Sequence, residues 1–356
     1  MVEPRFQPSA ESVGGQVMNI LVIGGTGFIG THVIWRLAGD GHDVAVFHRG
    51  QTDADVPPSV RHIFGDRANL SDFADEFRRF APRVVLDINP YTEQDARAVM
   101  NTFRGVASRV VALSSQDVYR SYGILWKKEN TAPNATPITE DAPLRSVLYP
   151  YRQMAQSESD FKYYYDKILV ERVVMSDADL PGTVLRLPAV YGVGDNQHRF
   201  FEYLKRMDDK RPAILLKEEL ARWRWTRGYV EHIADAIALA VTDERARGRI
   251  YNLGEADTLI ESEWVSALGR AAEWNGEVIV VLKGELPEHL DSPFDHEHDL
   301  EVDTSRIRRE LGYVERISRE EALRRTVAWL RVNPPTEVDP KQFDYAAENA
   351  ALKNSG

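Results

Sequence analysis

Cysteine is absent from the 356 residues of this chain. Disulfide bonds, thiolate nucleophiles and cysteine-ligated metals are therefore excluded, and the absence fits the reducing cytoplasm in which we expect the protein to work. The histidines do not replace cysteine as metal ligands, because they lack metal-ligand spacing and because DHEH at 295–298 lies in an acidic stretch typical of solvated surface. We expect no metal.

Positive charge is also scarce, since 44 lysines and arginines face 55 aspartates and glutamates and leave a formal charge of -11. Such a chain repels phosphate backbones on average, so we expect no nucleic-acid partner. No apolar run is long enough to span a bilayer, and residues 1–17 contain no signal-peptide core. We therefore expect no membrane partner and interpret 1–17 as a flexible N-terminal extension.

Short runs rich in valine and isoleucine alternate with amphipathic stretches from Asn19 onward. The runs lie at 19–23, 44–47, 60–64, 84–88, 109–114 and 182–188, and helical spacing fills 27–38, 70–80 and 92–103. Buried parallel strands joined by crossover helices produce this pattern. It predicts an α/β fold, with a Rossmann-type doubly wound parallel sheet and a smaller mixed α/β C-terminal substrate lobe.

The same pattern gives the expected domain boundaries. They are a dinucleotide-binding domain at 18–187 plus 226–254, a substrate-binding lobe at 188–225 plus 255–334, and a polar tail at 335–356 that is loose or draped on the surface. Residues 120–160, rich in Pro, Asn, Asp and Ser, predict a long loop. That loop could form a lid or line the substrate pocket, with a surface insertion as the default expectation.

Three glycines separate the first predicted strand from the first predicted helix. In NILVIGGTGFIG, Gly24, Gly27 and Gly30 permit a tight turn, close approach of the backbone to a pyrophosphate, and close contact between helix and strand. In this strand-turn-helix context they predict a dinucleotide site at the helix N-terminus.

The residues after the second predicted strand favour NADP over NAD. NAD-binding folds use a carboxylate here to hold the ribose hydroxyls, whereas this chain has His48 followed by Arg49, a cation that could pair with a 2'-phosphate. A solvated Arg49 is the alternative. Asp66, after the third strand, could accept a hydrogen bond from the adenine amino group or could simply form a turn.

Three tyrosines precede Lys167 in KYYYDK, residues 162–167, within a segment that has helical spacing. A helix brings residues three and four apart onto one face, so Tyr163 and Tyr164 would approach Lys167 and Tyr165 would not. A cation beside a phenol draws its pKa toward the working range of a general acid or base.

Six motifs in one order carry a family resemblance. They are GGTGFIG (24–30), LSSQDVY (113–119), YYYDK (163–167), LRLPAVYGVGD (185–195), YVEHIADA (229–236) and YNLG (251–254). The chain resembles an extended, or atypical, short-chain dehydrogenase/reductase of the NAD-dependent epimerase/dehydratase family. The resemblance runs from roughly residue 18 to residue 254.

The resemblance implies roles for individual residues. Tyr163 would exchange the proton, Lys167 would bind the nicotinamide ribose and bias Tyr163, and Tyr164 and Tyr165 would be packing residues. Ser115 would hold the reacting oxygen, with the neighbouring Ser114 as the alternative. The implied cofactor-binding set, beyond the residues already named, is Phe28, Ile29, Ile88, Asn89, Leu187 and Pro188.

Several positions depart from the family pattern. Gln116 and Asp117 stand where family dehydratases have an Asp-Glu pair, which disfavours elimination. Ala189 replaces an asparagine that often meets a nucleotide diphosphate, and Trp225 replaces an arginine. Arg227 could supply the missing charge, with Arg224 or Arg199 as other donors. The tryptophans of ARWRWTRG could stack a ring or simply belong to the core.

We therefore expect an NAD(P)-dependent oxidoreductase or epimerase that acts on a hydroxyl or keto group of a sugar or nucleotide-sugar-like small molecule. The alternatives are an NADP-dependent carbonyl reductase of a non-sugar substrate and a non-catalytic dinucleotide-sensing or RNA-associated atypical member. A homodimer through 92–104 and 161–175 stays open, because core packing within one chain explains the same apolar residues.

Overall fold

The computed structural model describes residues 16–52, 55–282 and 286–354. Most of the predicted N-terminal extension, residues 1–15, lies outside the described residues.

Seven parallel strands form the central sheet. In chain order the strands of the protein are β1 (Asn19–Ile23), β2 (Asp43–His48), β3 (Arg61–Phe64), β4 (Val84–Asp87), β5 (Arg109–Ser115), β6 (Gly182–Leu187), β7 (Ala189–Tyr191), β8 (Ala213–Lys217), β9 (Arg227–Tyr229), β10 (Ile250–Asn252) and β11 (Glu277–Val281). The sheet order is β10-β6-β5-β4-β1-β2-β3. Because the order reverses between β1 and β4, a crevice opens at their carboxyl ends.

Helices cover both faces of this sheet and also build the smaller C-terminal part. In chain order the helices are α1 (Phe28–Gly39), α2 (Ala74–Phe80), α3 (Glu93–Phe103), α4 (Arg120–Leu125), α5 (Phe161–Tyr164), α6 (Lys167–Val174), α7 (Phe201–Asp208), α8 (Glu218–Arg222), α9 (Val230–Thr242), α10 (Glu261–Ala271), α11 (Ser305–Leu311), α12 (Arg319–Val332) and α13 (Tyr345–Asn354). Successive side chains of each strand point to opposite faces of the sheet and so belong to two apolar layers. One layer lies on the side of α1 and α9, and the other on the side of α2 and α3. The predicted doubly wound fold is confirmed.

A smaller C-terminal part adds two short parallel pairs, β8 with β11 and β7 with β9, to the central sheet. Helices α8, α10 and α12 pack around them. This part is the predicted mixed α/β lobe, while its exact boundaries with the dinucleotide-binding domain stay a prediction. Within the described residues, no helix is long and apolar enough to cross a membrane.

Parts of residues 120–160 are anchored in the protein, although 130–133 and 156–159 are exposed, so the segment is more than the surface insertion that was the default expectation. Arg145 forms a fully buried ion pair with Asp166, at 2.9 Å. Ser121 and Asn134 exchange hydrogen bonds of 2.8 Å, and Ile138 is completely buried. Because buried polar groups need partners, these contacts hold the segment to the start of α6 and to itself.

The C-terminal tail lies on the small lobe, so of the two expectations the loose tail is wrong and the tail draped on the surface fits. Its helix α13 carries Glu348, only 2% exposed, into contact with Arg206 and Arg211. The sequence pattern missed this helix because one buried carboxylate, rather than an apolar stripe, anchors it.

Candidate active site

The glycine loop between β1 and α1 has the shape of a phosphate cradle. Gly24 and Gly25 have φ of 79° and 113°, which favour glycine, and a Cβ on Gly30 would lie 2.3 Å from Gly25 Cα. A Cβ on Gly27 would meet nothing within 4 Å. The first turn of α1 has no side-chain cap and no acidic residue, so its free N–H groups fit a pyrophosphate.

The end of β4 faces this loop through Asn89. The Asn89 amide nitrogen would lie 3.2 Å from a Cβ on Gly24, and the Asn89 carbonyl accepts a 2.7 Å hydrogen bond from Arg67. Arg67 also pairs with Asp87 and Asp95, each at 3.0 Å. Burial raises the pKa of Asp87, and the Arg67 charge opposes that rise. These contacts hold Ile88 and Asn89 beside the glycines.

Sequence reasoning missed the charged cluster of Arg67, Asp87 and Asp95. The available signal was a carboxylate at the end of the otherwise apolar run VVLD, since a fully buried aspartate needs a cationic partner.

His48, Arg49 and Asp66 lie at the edge of the sheet where the second and third strands end. His48 is buried and its Nε2 lies 2.8 Å from His62 Nδ1. Arg49 is exposed and has no side-chain partner among the described residues. Asp66 is exposed and one of its oxygens accepts from Ala68 N at 2.9 Å, so it does form the turn that the sequence offered as an alternative.

The helix expected over the three tyrosines is interrupted, so the helical argument about them is wrong. Helix α5 ends at Tyr164 and α6 begins at Lys167, while Tyr165 and Asp166 are extended. Asp166 caps α6, and Tyr165 forms a bridge with Thr92. Tyr165, excluded by helical spacing, therefore lies with its ring centroid 5.8 Å from Lys167 Nζ.

Lys167 is buried at the carboxyl ends of the central strands. Its Nζ donates to the carbonyls of Pro90 and Leu113, at 2.8 and 2.9 Å. Burial lowers the pKa of Lys167 to about 8, although the charges of Asp117 and Asp87 oppose the change. The amine is thus mostly ammonium at neutral pH and loses its proton as the pH rises through about 8.

Asp117 accepts hydrogen bonds from two phenols. The hydroxyls of Tyr165 and Tyr151 donate to Asp117 Oδ2 at 2.8 and 3.1 Å, while its buried Oδ1 has no partner among the described residues. Burial raises the pKa of Asp117, and burial together with Asp117 raises the pKa of Tyr165 well above its usual value. Tyr151 comes from the 120–160 segment, which therefore lines the site.

The two serines that end β5 have different surroundings. Ser114 is buried and donates to Glu171 at 2.5 Å, whereas Ser115 is partly exposed and its Oγ accepts from Asp117 N at 3.1 Å. Strand alternation thus leaves Ser115 for the cleft. Gln116 donates to the Leu253 carbonyl at 2.8 Å, which leaves its buried Oε1 without a partner in the described structure.

Tyr163 lies on the outer side of the break between α5 and α6. Its hydroxyl donates to Glu158 at 3.2 Å, and the Arg152 guanidinium lies 4.8 Å from its ring centroid. Glu158 raises the pKa of Tyr163. The rings found near Lys167 in the described structure are those of Tyr91 and Tyr165, so the catalytic role of Tyr163 stays a prediction.

Two of the three arginines expected to meet a diphosphate, Arg227 and Arg199, already form ion pairs. Arg227 is buried and lies 2.6 Å from Glu261, and Arg199 lies 2.9 Å from Asp195. The Trp225 ring lies 5.4 Å from that of Trp223 and belongs to the aromatic core, with partial exposure. Arg227 Nη1 is nevertheless buried without a hydrogen-bond partner in the described structure, and Arg224 donates to the Thr258 carbonyl with no carboxylate partner among the described residues.

Leu187 and Pro188 connect the central sheet to the small β7 and β9 pair. Leu187 pairs with Ser115 across the sheet, and Pro188 lies against Gly228, where a Cβ would come within 3.1 Å of the proline ring. Both residues therefore stand at the same edge as Ser115. Among the described residues, no group of three or more histidines, aspartates or glutamates is arranged to hold a metal ion.

Two known enzymes have sequences similar to that of this chain. The 2'-dehydrokanamycin reductase of Streptomyces kanamyceticus is 27% identical over 73% of this chain and 71% of its own length. The UDP-N-acetyl-alpha-D-glucosaminuronate decarboxylase of Bacillus cytotoxicus is 21% identical over 87% of this chain and 97% of its own length.

The fold is shared with WbmG of Bordetella bronchiseptica, solved in complex with NAD. The TM-score is 0.66 at 17% sequence identity, and the match covers 92% of this chain and 98% of that one. The family model named NAD dependent epimerase/dehydratase family matches residues 20–254, most of the chain. The protein therefore belongs to the NAD dependent epimerase/dehydratase family.

Proposed function

We propose that the protein is an NAD(P)-dependent oxidoreductase that interconverts a hydroxyl and a keto group on a carbohydrate-like small molecule. The observation that carries this proposal is the convergence of Ser115, Lys167 and the Asp117–Tyr165 pair at the carboxyl ends of the central strands. The glycine loop opens at the same edge of the sheet. A bound nicotinamide would supply or accept the hydride.

The protein groups would handle the proton and the substrate oxygen. Ser115 Oγ, exposed to the cleft, would hold the reacting oxygen by a hydrogen bond. Burial and Asp117 raise the pKa of Tyr165, and the ammonium of Lys167 would oppose that rise. A tyrosine hydroxyl at this site could then donate a proton to the substrate oxygen. The motif position assigns this proton to Tyr163, whereas proximity to Lys167 favours Tyr165.

Two substitutions separate these assignments. Tyr165→Phe removes the hydroxyl bonded to Asp117, and Tyr163→Phe removes the one bonded to Glu158. We expect Tyr165→Phe to lower kcat by about a hundredfold or more, the usual size of a general-acid contribution, and Tyr163→Phe to leave kcat within about threefold. Dinucleotide affinity, measured by calorimetry, serves as the control for folding.

A larger loss of kcat in Tyr163→Phe than in Tyr165→Phe would assign the proton transfer to Tyr163. Unchanged turnover in both variants would contradict phenol catalysis altogether, and with it the proposed mechanism.

We infer that the substrate carries no nucleotide diphosphate. Ala189 and Trp225 offer no charge, and the carboxylates of Glu261 and Asp195 offset the charges of Arg227 and Arg199. Arg224 and the unpartnered Nη1 of Arg227 are the cationic donors that stay available in the described structure. The unpartnered acceptor oxygens of Gln116 and Asp117 suit a ligand rich in hydroxyl or amino donors. The similarity to a protein named 2'-dehydrokanamycin reductase supports a reductase of a keto-carbohydrate of this kind.

A nucleotide-sugar epimerase is the second candidate, supported by the family itself and by the UDP-sugar name of the Bacillus relative. Oxidation of NADPH by the purified protein, with free and UDP-linked keto-sugars offered in parallel, distinguishes the two. Consumption of NADPH with free keto-carbohydrates alone supports our proposal. Turnover restricted to UDP-linked sugars, without net NADPH consumption, would favour the epimerase.

NADP is the cofactor that we favour. The end of β2 has no carboxylate, and Arg49 is exposed without a side-chain partner in the described structure. A carboxylate there would repel a 2'-phosphate, while an unpaired guanidinium would attract one.

A further inference from the structure

His48 and His62 form a hydrogen-bonded imidazole pair at the edge of the central sheet. His48 ends β2, and His62 lies on the neighbouring β3, the outermost strand. Their ring nitrogens Nε2 and Nδ1 lie 2.8 Å apart, with His48 buried and His62 exposed. Sequence reasoning gave His62 no role.

The direction of this hydrogen bond follows from a second contact. The backbone N–H of Gly50 donates to His48 Nδ1 at 3.3 Å, so Nδ1 must carry a lone pair. Burial and the neighbouring His62 lower the pKa of His48, which keeps the ring neutral, and its one proton is then on Nε2. His48 Nε2 therefore donates to His62 Nδ1, and the proton of a neutral His62 is on the outer nitrogen, Nε2.

The exposed His62 Nε2–H is consequently an oriented donor on the strand next to the one that Arg49 follows, and Arg49 has no side-chain partner among the described residues. His48 is followed directly by Arg49 at the carboxyl end of β2, while the exposed Phe64 ring lies 5.9 Å from His62 and stacks on it. Two charged side chains flank this strand: the Arg61 guanidinium lies 5.2 Å from the Phe80 ring, and the Asp66 carboxylate accepts the backbone N–H of Ala68.

We propose that His62, oriented by His48, binds the ribose 2'-phosphate of NADP together with Arg49. His48 is the positioning residue, since it fixes which nitrogen of His62 donates. This inference rests on the proposed function, because it concerns the cofactor of the same site. This role explains why a buried histidine, rather than a carboxylate, ends β2, because a carboxylate would repel the 2'-phosphate that His62 and Arg49 bind.

The test is calorimetric titration of the full-length protein with NADP and NAD, and with the adenosine fragments adenosine 2',5'-bisphosphate and AMP. We expect His62→Phe to weaken the binding of NADP and of the bisphosphate by about tenfold, the size of one charge-assisted hydrogen bond. The affinities for NAD and AMP should be unchanged. His62→Gln keeps a donor and should restore most of the affinity. Arg61→Gln, an exposed change on the same strand, should change the affinity for neither the phosphorylated nor the unphosphorylated ligands.

Each result bears on one of the two proposals. Equal losses for phosphorylated and unphosphorylated ligands, or no loss in His62→Phe, would overturn the role of His62 and leave the oxidoreductase assignment standing. Failure of the wild-type protein to bind any of the dinucleotides would instead overturn the proposed function. Thermal denaturation of each variant checks that it has folded.

Discussion

Among single residues, Lys167 determines the pH dependence that we expect for turnover. Burial lowers its pKa from 10.5 to about 8. The ammonium form, which favours phenolate in the neighbouring tyrosine, is populated below that pKa and is lost as the pH rises through it. We therefore expect kcat, measured at saturating substrate and cofactor, to fall as the pH rises above about 8.

Lys167→Arg is the matched control, because a guanidinium keeps its charge throughout this range. Its pH–rate profile should lose the alkaline fall, whatever its absolute rate. Lysine Cε resonances of isotope-labelled protein report the same titration without turnover. A Lys167 that titrates near 10 by that measurement would contradict the assigned pKa shift.

Local rules predicted some residues of the site correctly and failed for others. Alternation along β5 distinguishes Ser115 from Ser114, and the structure buries Ser114 against Glu171. Asp117 could be singled out from its place after the strand, but its partner Tyr151 could not. The two are 34 residues apart in sequence, and only the packing of the 120–160 segment brings them together.

At the scale of secondary structure, the strands were predictable and the break before α6 was not. Runs of valine and isoleucine mark buried strands regardless of context, so β1 to β6 fall where the sequence predicts them. The break at Tyr165 and Asp166 depends on distant contacts. Asp166 pairs with Arg145 and accepts from the Tyr149 N–H, and these bonds outweigh helical propensity.

Helix α9 owes its C-terminal stability to one buried arginine on β5. Arg109, 1% exposed, donates to the carbonyls of Ala240, Val241 and Asp243, at 2.6 to 3.1 Å. Arg109→Met would leave these carbonyls without a charged donor. We expect the free energy of unfolding, from urea denaturation, to fall by about 3 kcal/mol, within the range for buried bonds to a charged group.

A neighbouring surface ion pair supplies the control for Arg109. Arg83 lies 3.1 Å from Glu244, and both side chains are more than 40% exposed. Arg83→Gln should cost less than about 1 kcal/mol. A comparable loss in both variants would mean that net positive charge, rather than the cap on α9, accounts for the effect.

For the whole molecule, the C-terminal helix ties together parts of the small lobe that are far apart in sequence. Glu348 on α13 lies 2.9 Å from Arg206 of α7 and 3.5 Å from Arg211, and His289 Nε2 lies 3.1 Å away. The segment that follows His289 continues across the 120–160 segment, where Phe294 packs on Trp126 at 4.8 Å. The tail is therefore connected, through this segment, to the wall of the active site.

Glu348→Gln should destabilise the protein strongly, because it leaves two buried guanidinium groups without their anion. We expect the free energy of unfolding to fall by about 3 kcal/mol or more in urea, the usual cost of breaking a buried ion pair from one side. Asp208→Asn, which removes the partly exposed partner of Arg331, should cost less than about 1 kcal/mol. If removal of residues 340–356 left stability unchanged, α13 would be only peripheral to the fold, and the anchoring role of Glu348 would be refuted.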